Sequence, residues 1–198
     1  MATTLTGGRV VLTGPPGIGK TTLVRKVCEA LRSRNVNVQG FYTEEVRQGS
    51  HRIGFDVCTL DGRRACLARI SRGGNATQQN RSPYQVGQYA VDLDSFEHLA
   101  LSVLKHQENH NILYVVDEIG KMELFSMAFK KAVQLLYDSS SLPILATLPS
   151  PRGRPIEFVE AIRVRADVNV IEVTKSNRDH LLGDILTTLL PGARELDT

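Results

Sequence analysis

Eight consecutive residues near the start of the chain have the spacing of a phosphate-binding loop. They fit the pattern G-x-x-x-x-G-K-[ST] and are Gly14, Pro15, Pro16, Gly17, Ile18, Gly19, Lys20 and Thr21. Glycines here let the backbone curl around a phosphate, so that successive N–H groups converge on its oxygens at the positive end of a following helix. Because proline has no N–H, we expect the cradle to come from 17–21. We expect Lys20 to bridge the β- and γ-phosphates and Thr21 to hold Mg²⁺. A glycine-rich turn without a ligand is the alternative.

Two acidic residues follow a second apolar segment, 112–116, which reads ILYVV. Asp117 can hold Mg²⁺ through water, while Glu118 can orient and deprotonate a water for in-line attack on the γ-phosphorus. The alternative is that both acids cap a following helix. Lys121 and Glu123 either support the site or are solvated charges at a helix start, and the solvated interpretation is favoured.

Other polar residues follow the later apolar segments. Thr147 directly follows the apolar segment 143–146. It either senses the γ-phosphate or is an ordinary strand-ending threonine. Arg152 and Arg154 lie in a Gly/Pro-flanked loop, where they either supply a cation to the phosphates or are solvated. For Arg163 and Arg165 we expect a solvated face.

The segment TKSN, 174–177, occupies the place where guanine-specific GTPases carry a base-recognition motif. An asparagine, Asn177, stands where that motif has an aspartate, which weakens selection for guanine. Lys175 and the Asn177 amide can still contact any base, so we hypothesise permissive base recognition. The alternative is that Asn177 caps the last helix.

These residues need a scaffold that positions them. Apolar, strand-like segments alternate along the chain with segments of helical periodicity, as in βαβ units. The pattern predicts an α/β fold with a doubly wound, mostly parallel sheet. The predicted core strands cover 9–13, 112–116, 143–146 and 168–173, and the predicted helices cover 20–34, 122–138 and 178–190.

The segment 39–70 interrupts this alternation, since it contains candidate strands without helices between them. An Asp61-Gly62 turn predicts that it is an antiparallel β-hairpin insertion. The polar segment 71–82 is expected to be a flexible loop, and Asp94 is expected to cap a helix that runs to Lys105. We predict a single domain over 1–198.

Composition limits the classes of function. The chain has 198 residues, a formal net charge of +3, 41% hydrophobic residues and no tryptophan. A balance so close to neutral indicates no obligatory nucleic-acid partner. Near the centre of the chain, the longest apolar run is far short of the roughly 18 residues that a membrane helix needs, so we expect no membrane association. Three cysteines, Cys28, Cys58 and Cys66, fit reduced thiols and predict a cytoplasmic protein.

The motifs resemble those of a nucleoside-triphosphatase family that includes vertebrate cancer-related enzymes and thermophile relatives. The resembling segments are LTGPPGIGKTT (12–22), GFYTEEVR (40–47), RIGFDV (52–57), VGQY (86–89), VDEIGKMELF (116–125) and VTKSNR (173–178). The resemblance implies a RecA-like P-loop NTPase domain that hydrolyses ATP, GTP, CTP, UTP and TTP slowly, with Mg²⁺ as cofactor, to diphosphate and phosphate.

The resemblance also assigns site residues. It places nucleotide binding on the eight residues of the phosphate loop and on Leu113, Tyr114, Val115, Val116, Asp117, Glu118, Ile119 and Gly120. The expected catalytic residues are Glu118 and Lys20, and the expected metal ligands are Thr21 and Asp117. Glu44 and Glu45 lie in a resembling segment, but their chemistry assigns them no role.

Two other classes of function stay open on the sequence alone. One is a P-loop kinase that passes the γ-phosphoryl group to a small-molecule or nucleic-acid hydroxyl, with Arg152 and Arg154 as a lid. The other is a nucleotide-gated interaction module in which slow hydrolysis times a conformational switch. The Asp117-Glu118 pair favours water over an acceptor.

Overall fold

The structure is a computed structural model that describes residues 5, 7–71, 82–105, 107, 111–139, 142–151 and 154–190. The strands are β1 Arg9–Thr13, β2 Asn37–Gln48, β3 His51–Thr59, β4 Arg64–Ile70, β5 Gln85–Val86, β6 Tyr89–Val91, β7 Ile112–Asp117, β8 Ile144–Thr147 and β9 Asn169–Glu172. The helices are α1 Lys20–Arg32, α2 Leu93–Val103, α3 Met127–Asp138, α4 Glu157–Arg163 and α5 Leu181–Leu189, with a 3-10 turn at Glu123–Phe125.

Within the described residues, nine strands form one sheet in the order β5-β6-β4-β3-β2-β7-β8-β1-β9. The last five strands in this order, from β2 to β9, run parallel to one another. Every residue of β1, β7 and β8 is buried, which explains why these segments read as continuous apolar runs. The predicted α/β class with a mostly parallel sheet is confirmed.

Helices cover both faces of this sheet. Side chains alternate along β1, so Val10 and Leu12 pack on the face of α1 and α5, whereas Val11 packs on the face of α2 and α3. The second face contains three aromatic rings, Phe41, Phe96 and Phe129, with centroids 5.2 to 6.0 Å apart. None of the helices in the described residues is long and apolar enough to cross a membrane.

The antiparallel part of the chain extends the same sheet. The first half of β2, Asn37 to Tyr42, pairs in parallel with β7, and β2 also pairs in antiparallel fashion with β3. The insertion therefore starts inside a core strand and adds several strands, which is more than the predicted hairpin. The predicted Asp61-Gly62 turn does connect β3 to β4, and its Gly62 N–H donates to the Thr59 carbonyl at 3.0 Å.

Several predicted boundaries are wrong because side chains cap the helices elsewhere. Asp92 is the N-cap of α2, since its carboxylate accepts from the Ser95 N–H at 3.1 Å, and Asp94 lies in the first turn. Ser126 caps α3 in the same way, so that helix starts at Met127 and not at 122. The predicted flexible loop 71–82 lies outside the described residues except for its two ends.

Candidate active site

The phosphate-loop sequence connects the end of β1 to the start of α1. Gly17 and Gly19 have φ angles of +74° and +113°, in the left-handed region that favours glycine. Lys20 is buried as the first residue of α1, and its ammonium donates to the Gly14 carbonyl at 3.0 Å. The loop, the helix N-terminus and the lysine therefore lie together, as a triphosphate requires.

The acidic pair lies close to this loop because only β8 separates β7 from β1 in the sheet. Asp117 is the last residue of β7 and is 1% exposed. Its Oδ1 accepts from the Thr147 hydroxyl at 2.5 Å, whereas its buried Oδ2 has no hydrogen-bond partner among the described residues. Thr147 is itself fully buried, so its hydroxyl orients Asp117 and does not face the cavity as the predicted γ-phosphate sensor would.

Burial controls the protonation of both acids. Desolvation raises the pKa of Asp117, against the opposing effects of the Thr147 and Thr21 hydroxyls and the Lys20 ammonium. Desolvation also raises the pKa of Glu118, and Lys20 again opposes it. A cation beside these carboxylates would lower both pKa values and favour the charged forms.

The donor set fits Mg²⁺. A magnesium ion in a phosphate site is typically held by one or two carboxylates together with phosphate oxygens and water. Asp117 offers a buried carboxylate oxygen that lacks a partner, and Thr21 is close enough for its hydroxyl to affect the Asp117 pKa. The described residues contain no group of three or more His, Cys, Asp or Glu side chains that could hold a metal alone.

A second carboxylate, Glu123, lies beside Glu118. A Cβ added to Gly120 would be 2.9 Å from Glu118 Oε1 and 3.1 Å from Glu123 Oε2, so both carboxyl groups border this glycine. Glu123 Oε2 also accepts from the Gly120 N–H at 3.1 Å. Glu123 is 5% exposed, and burial raises its pKa to about 8. The favoured expectation of a solvated charge is therefore wrong for Glu123, although Lys121 is exposed.

Arg163 differs from its prediction as well. Its side chain is only 16% exposed, pairs with Glu160, and donates to the Pro149 carbonyl at 2.8 Å and the Thr13 hydroxyl at 3.3 Å. Thr13 directly precedes the phosphate loop, so this guanidinium borders the site instead of forming a solvated face. Sequence periodicity gave no signal for this contact, because the partners are far apart in the chain.

The remaining arginines separate into different environments. Arg165 pairs with Asp167 and donates to the Tyr137 carbonyl, and these contacts also contradict a purely solvated role. Arg154 is exposed and borders the cavity described below. Arg152 lies outside the described residues.

The TKSN segment follows β9, on the other side of β1 from the acidic pair. Asn177 is engaged by its own loop, since its Oδ1 accepts from the Thr174 N–H at 2.8 Å and its Nδ2 donates to the Glu172 carbonyl at 2.8 Å. It is not the N-cap of α5, because that helix begins at Leu181 with His180 at the cap. The amide therefore shapes this loop, while Lys175 is exposed.

A cavity of about 930 Å³ joins these elements. Its inner end contains the phosphate loop and Thr22, and Glu118 lies along it. Its outer end is bordered by residues of β2, β3, β4, β5 and β6. Of the stretch 113–120, only Glu118 lines the cavity. The side chains of 113–116 and Ile119 are buried and position the acidic pair without facing a ligand.

Glu44 and Glu45 both form ion pairs with arginines. Glu44 forms ion pairs with Arg25 and Arg64, and Glu45 forms ion pairs with Arg47 and Arg52. Both acids lie in β2 and both border the cavity. Of the four arginines that they pair with, only Arg52 lines the cavity, so these acids connect the cavity wall to basic residues around it.

Comparison with known proteins agrees with this geometry. The profile of a family described as NTPase matches residues 9–186. The chain is 53% identical to the cancer-related nucleoside-triphosphatase of Homo sapiens over 90% of this chain and 94% of that protein. It is 40% identical to the nucleoside-triphosphatase THEP1 of Thermotoga maritima, over 91% and 95% of the two chains. A solution structure of the human cancer-related nucleoside triphosphatase superposes with a TM-score of 0.76 and covers 91% of this chain and 96% of its own.

Proposed function

The chain belongs to the NTPase family, and from this premise we propose that it is a Mg²⁺-dependent nucleoside-triphosphatase. Its products are a nucleoside diphosphate and phosphate. The observation that supports this proposal most is that β1 and β7, with one strand between them, bring the phosphate loop and Glu118 to a single cavity, with Asp117 buried next to Glu118.

Each residue of the site has a separate task in this proposal. The backbone N–H groups of 17–21 and the Lys20 ammonium bind the phosphates, and Lys20 stabilises the charge that develops on the γ-phosphate. Thr21 and Asp117 would hold Mg²⁺, which neutralises phosphate charge when bound. Glu118, the member of the acidic pair that borders the cavity, orients a water and accepts its proton. Thr147 holds the carboxylate of Asp117 in place.

We expect broad base specificity. The Asn177 amide is used within its own loop, and the described TKSN segment therefore contributes only the exposed Lys175 and backbone groups to base recognition. A site without a fixed base-reading side chain discriminates weakly between bases. ATP, GTP, CTP, UTP and TTP should all be hydrolysed, with rates that differ by less than about tenfold.

The decisive experiment follows phosphate release from this panel with Mg²⁺, for the parent and for Glu118→Gln. We expect turnover of several triphosphates by the parent and a loss of about a hundredfold or more in the variant, with nucleotide binding retained. Chelation of Mg²⁺ should abolish release.

The matched control is Glu29→Gln, which changes an exposed glutamate of α1 outside the cavity and should leave turnover unchanged. Equal rates for the parent and Glu118→Gln would remove Glu118 from the mechanism. Lys20→Ala should weaken turnover, and an unchanged rate there would refute the phosphate-loop assignment.

The wider organisation is part of the same proposal. One continuous sheet includes the antiparallel strands, which supports a single P-loop domain over 1–198. A cytoplasmic location and independence from nucleic acid remain predictions from composition.

A further inference from the structure

The outer end of the cavity is continuous with the phosphate loop but is formed by different strands, β2 to β6. It is lined by Glu45, Arg52, Phe55, Leu67, Val86 and Tyr89, which we call the outer compartment. In the sheet, β2 and β3 lie on the far side of β7 from β1. Glu118 therefore lies between the outer compartment and a phosphate bound to the loop after β1.

The long strand β2 builds the wall of this compartment. Its residues as far as Tyr42 pair with β7, and the six that follow continue past Asp117, the last residue of β7. At roughly 3.3 Å per residue these six extend about 20 Å beyond the edge where the phosphate loop lies. β3 pairs along them and brings Arg52 and Phe55 to the cavity.

Arg52 has several partners in the wall of the outer compartment. Its Nε donates to the Tyr89 hydroxyl at 2.9 Å and its Nη1 donates to Glu45 at 2.8 Å. The guanidinium carbon is 5.0 Å from the ring centroid of Phe55 and 5.6 Å from that of Tyr89. Within the described residues, its Nη2 has no hydrogen-bond partner. Because Tyr89 is only 7% exposed, the wall offers the guanidinium plane of Arg52, the partly exposed ring of Phe55, one donor and the Glu45 carboxylate.

These groups select a class of ligand. Aromatic rings and a guanidinium plane bind flat rings by stacking, and adjacent donor and acceptor groups bind the polar edge of such a ring. Glu45 pairs with Arg52 and also with Arg47, which does not line the cavity. The six lining residues of the outer compartment are therefore formally neutral and do not call for an anion. The hydroxyl of a neutral ring-bearing alcohol could approach Glu118, which the first step of a phosphoryl transfer requires.

We propose that the outer compartment binds a nucleoside-like alcohol and that the chain transfers the γ-phosphoryl group to it. This inference rests on the proposed binding of a triphosphate at the phosphate loop. The hydroxyl oxygen of the alcohol forms a bond to the γ-phosphorus, and the bond from that phosphorus to the β–γ bridging oxygen breaks. The nucleoside diphosphate leaves with the electron pair, and the Glu118 carboxylate takes the hydroxyl proton. Water takes the place of the alcohol when the compartment is empty.

The test uses ATP labelled on its γ-phosphate, Mg²⁺ and millimolar adenosine, guanosine, cytidine, uridine or thymidine. Chromatography separates labelled phosphate from labelled nucleoside monophosphate. We expect at least one nucleoside to become labelled, with an equal decrease in phosphate release. Release of phosphate without labelling of any nucleoside overturns this inference and leaves the proposed function intact. Absence of both products contradicts the proposed function itself.

Two arginine variants locate the acceptor. Arg52→Gln should lower the ratio of transfer to hydrolysis about tenfold, because the stacking plane and the charged donor are lost. Arg63→Gln is the matched control, since Arg63 is an exposed arginine of the β3–β4 turn that pairs with Asp61 outside the cavity. The same ratio in the parent and Arg52→Gln would overturn the assignment of the acceptor to this wall.

A binding measurement separates the two sites without turnover. The protein is first saturated with Mg²⁺ and a non-hydrolysable ATP analogue, and the nucleoside labelled in the first experiment is then titrated by calorimetry. Binding to the saturated protein, weakened in Arg52→Gln, supports a second site. Complete competition between the analogue and the nucleoside overturns it.

Discussion

Asp117 and Glu118 are neighbours in the chain but have different surroundings. Asp117 is buried and bonded to Thr147, whereas Glu118 borders the cavity. One acid is therefore enclosed by protein and held by a hydrogen bond, and the other faces the cavity; the proposed function assigns the metal to the first and the water to the second. Glu123 adds a third carboxyl group, which lies beside Glu118 at Gly120, and its burial keeps it protonated near neutral pH.

The raised pKa of Glu123 makes stability depend on pH. A glutamate has an ordinary pKa of about 4.5, and burial raises that of Glu123 to about 8. Below pH 4.5 both the folded and the unfolded chain hold this proton, so the group has no effect. Between these values the unfolded chain loses the proton and the folded chain keeps it, so the free energy of unfolding falls as pH rises. Above about pH 8 both the folded and the unfolded chain have lost the proton, and the free energy of unfolding falls no further.

We predict that Glu123→Gln removes this decline, because glutamine can accept from the Gly120 N–H without a charge. In metal-free buffer the variant should be more stable than the parent at pH 8 to 9 by roughly 4 kcal/mol, with little difference near pH 4.5. Urea unfolding across this pH range measures the difference. Glu29→Gln should follow the parent, and parallel curves for the parent and Glu123→Gln would show that Glu123 is ionised in the folded state.

At the scale of elements, β2 decides the geometry of the site. It contributes a core strand beside β7 and then the wall that holds Arg52 in contact with Glu45. Its pairing with β7 is close at Gly40, where an added Cβ would be 1.9 Å from the Val115 carbonyl oxygen. The backbone there also has a φ of +134°, so a side chain would be strained as well as crowded.

Gly40→Ala is therefore expected to separate β2 from β7 and to lower the free energy of unfolding by about 3 kcal/mol or more. Gly183→Ala is the matched control, because Gly183 lies in α5 with nothing within 4 Å of an added Cβ. That control should raise stability by about 0.5 to 1 kcal/mol. Denaturant unfolding of both variants gives the comparison, and equal stability of Gly40→Ala and the parent would refute the close strand contact.

At the scale of the whole molecule, one sheet with two covered faces places the chemistry at the carboxyl ends of its parallel strands. β1, β8 and β7 end beside each other, so the phosphate loop, Thr147 and Asp117 meet without any insertion between them. The antiparallel strands continue the sheet on the β7 side, and the cavity therefore extends in that direction. The residues that line the cavity therefore come from both halves of the chain.

Binding of a nucleotide at the carboxyl ends of β1, β8 and β7 should therefore stabilise the whole fold. A non-hydrolysable triphosphate analogue with Mg²⁺, at a hundred times its Kd, is expected to add about 2.7 kcal/mol. For a chain of this size that corresponds to a rise in Tm of about 5 to 10 °C. Differential scanning calorimetry measures the shift. Lys20→Ala should lose most of it at the same analogue concentration, and a shift that persists in full would place the binding energy elsewhere.

The sequence by itself determined the fold class, because buried parallel strands read as continuous apolar runs separated by helical periodicity. It also predicted the positions of Lys20, Thr21 and Asp117, since a phosphate loop is a contiguous pattern and a strand-ending acid follows its strand directly. It placed the extra strands in the right segment, although their number and the caps at Asp92 and Ser126 were missed.

Only the tertiary structure decided the surroundings of the other polar side chains. Arg163 meets Thr13 across 150 positions of the chain, and Arg52 meets Tyr89 across 37. The burial of Glu123 and the use of Thr147 by Asp117 likewise depend on how β7 and β8 pack. Local pattern fixes which elements form, but the burial and partners of a polar side chain depend on which distant elements pack around it.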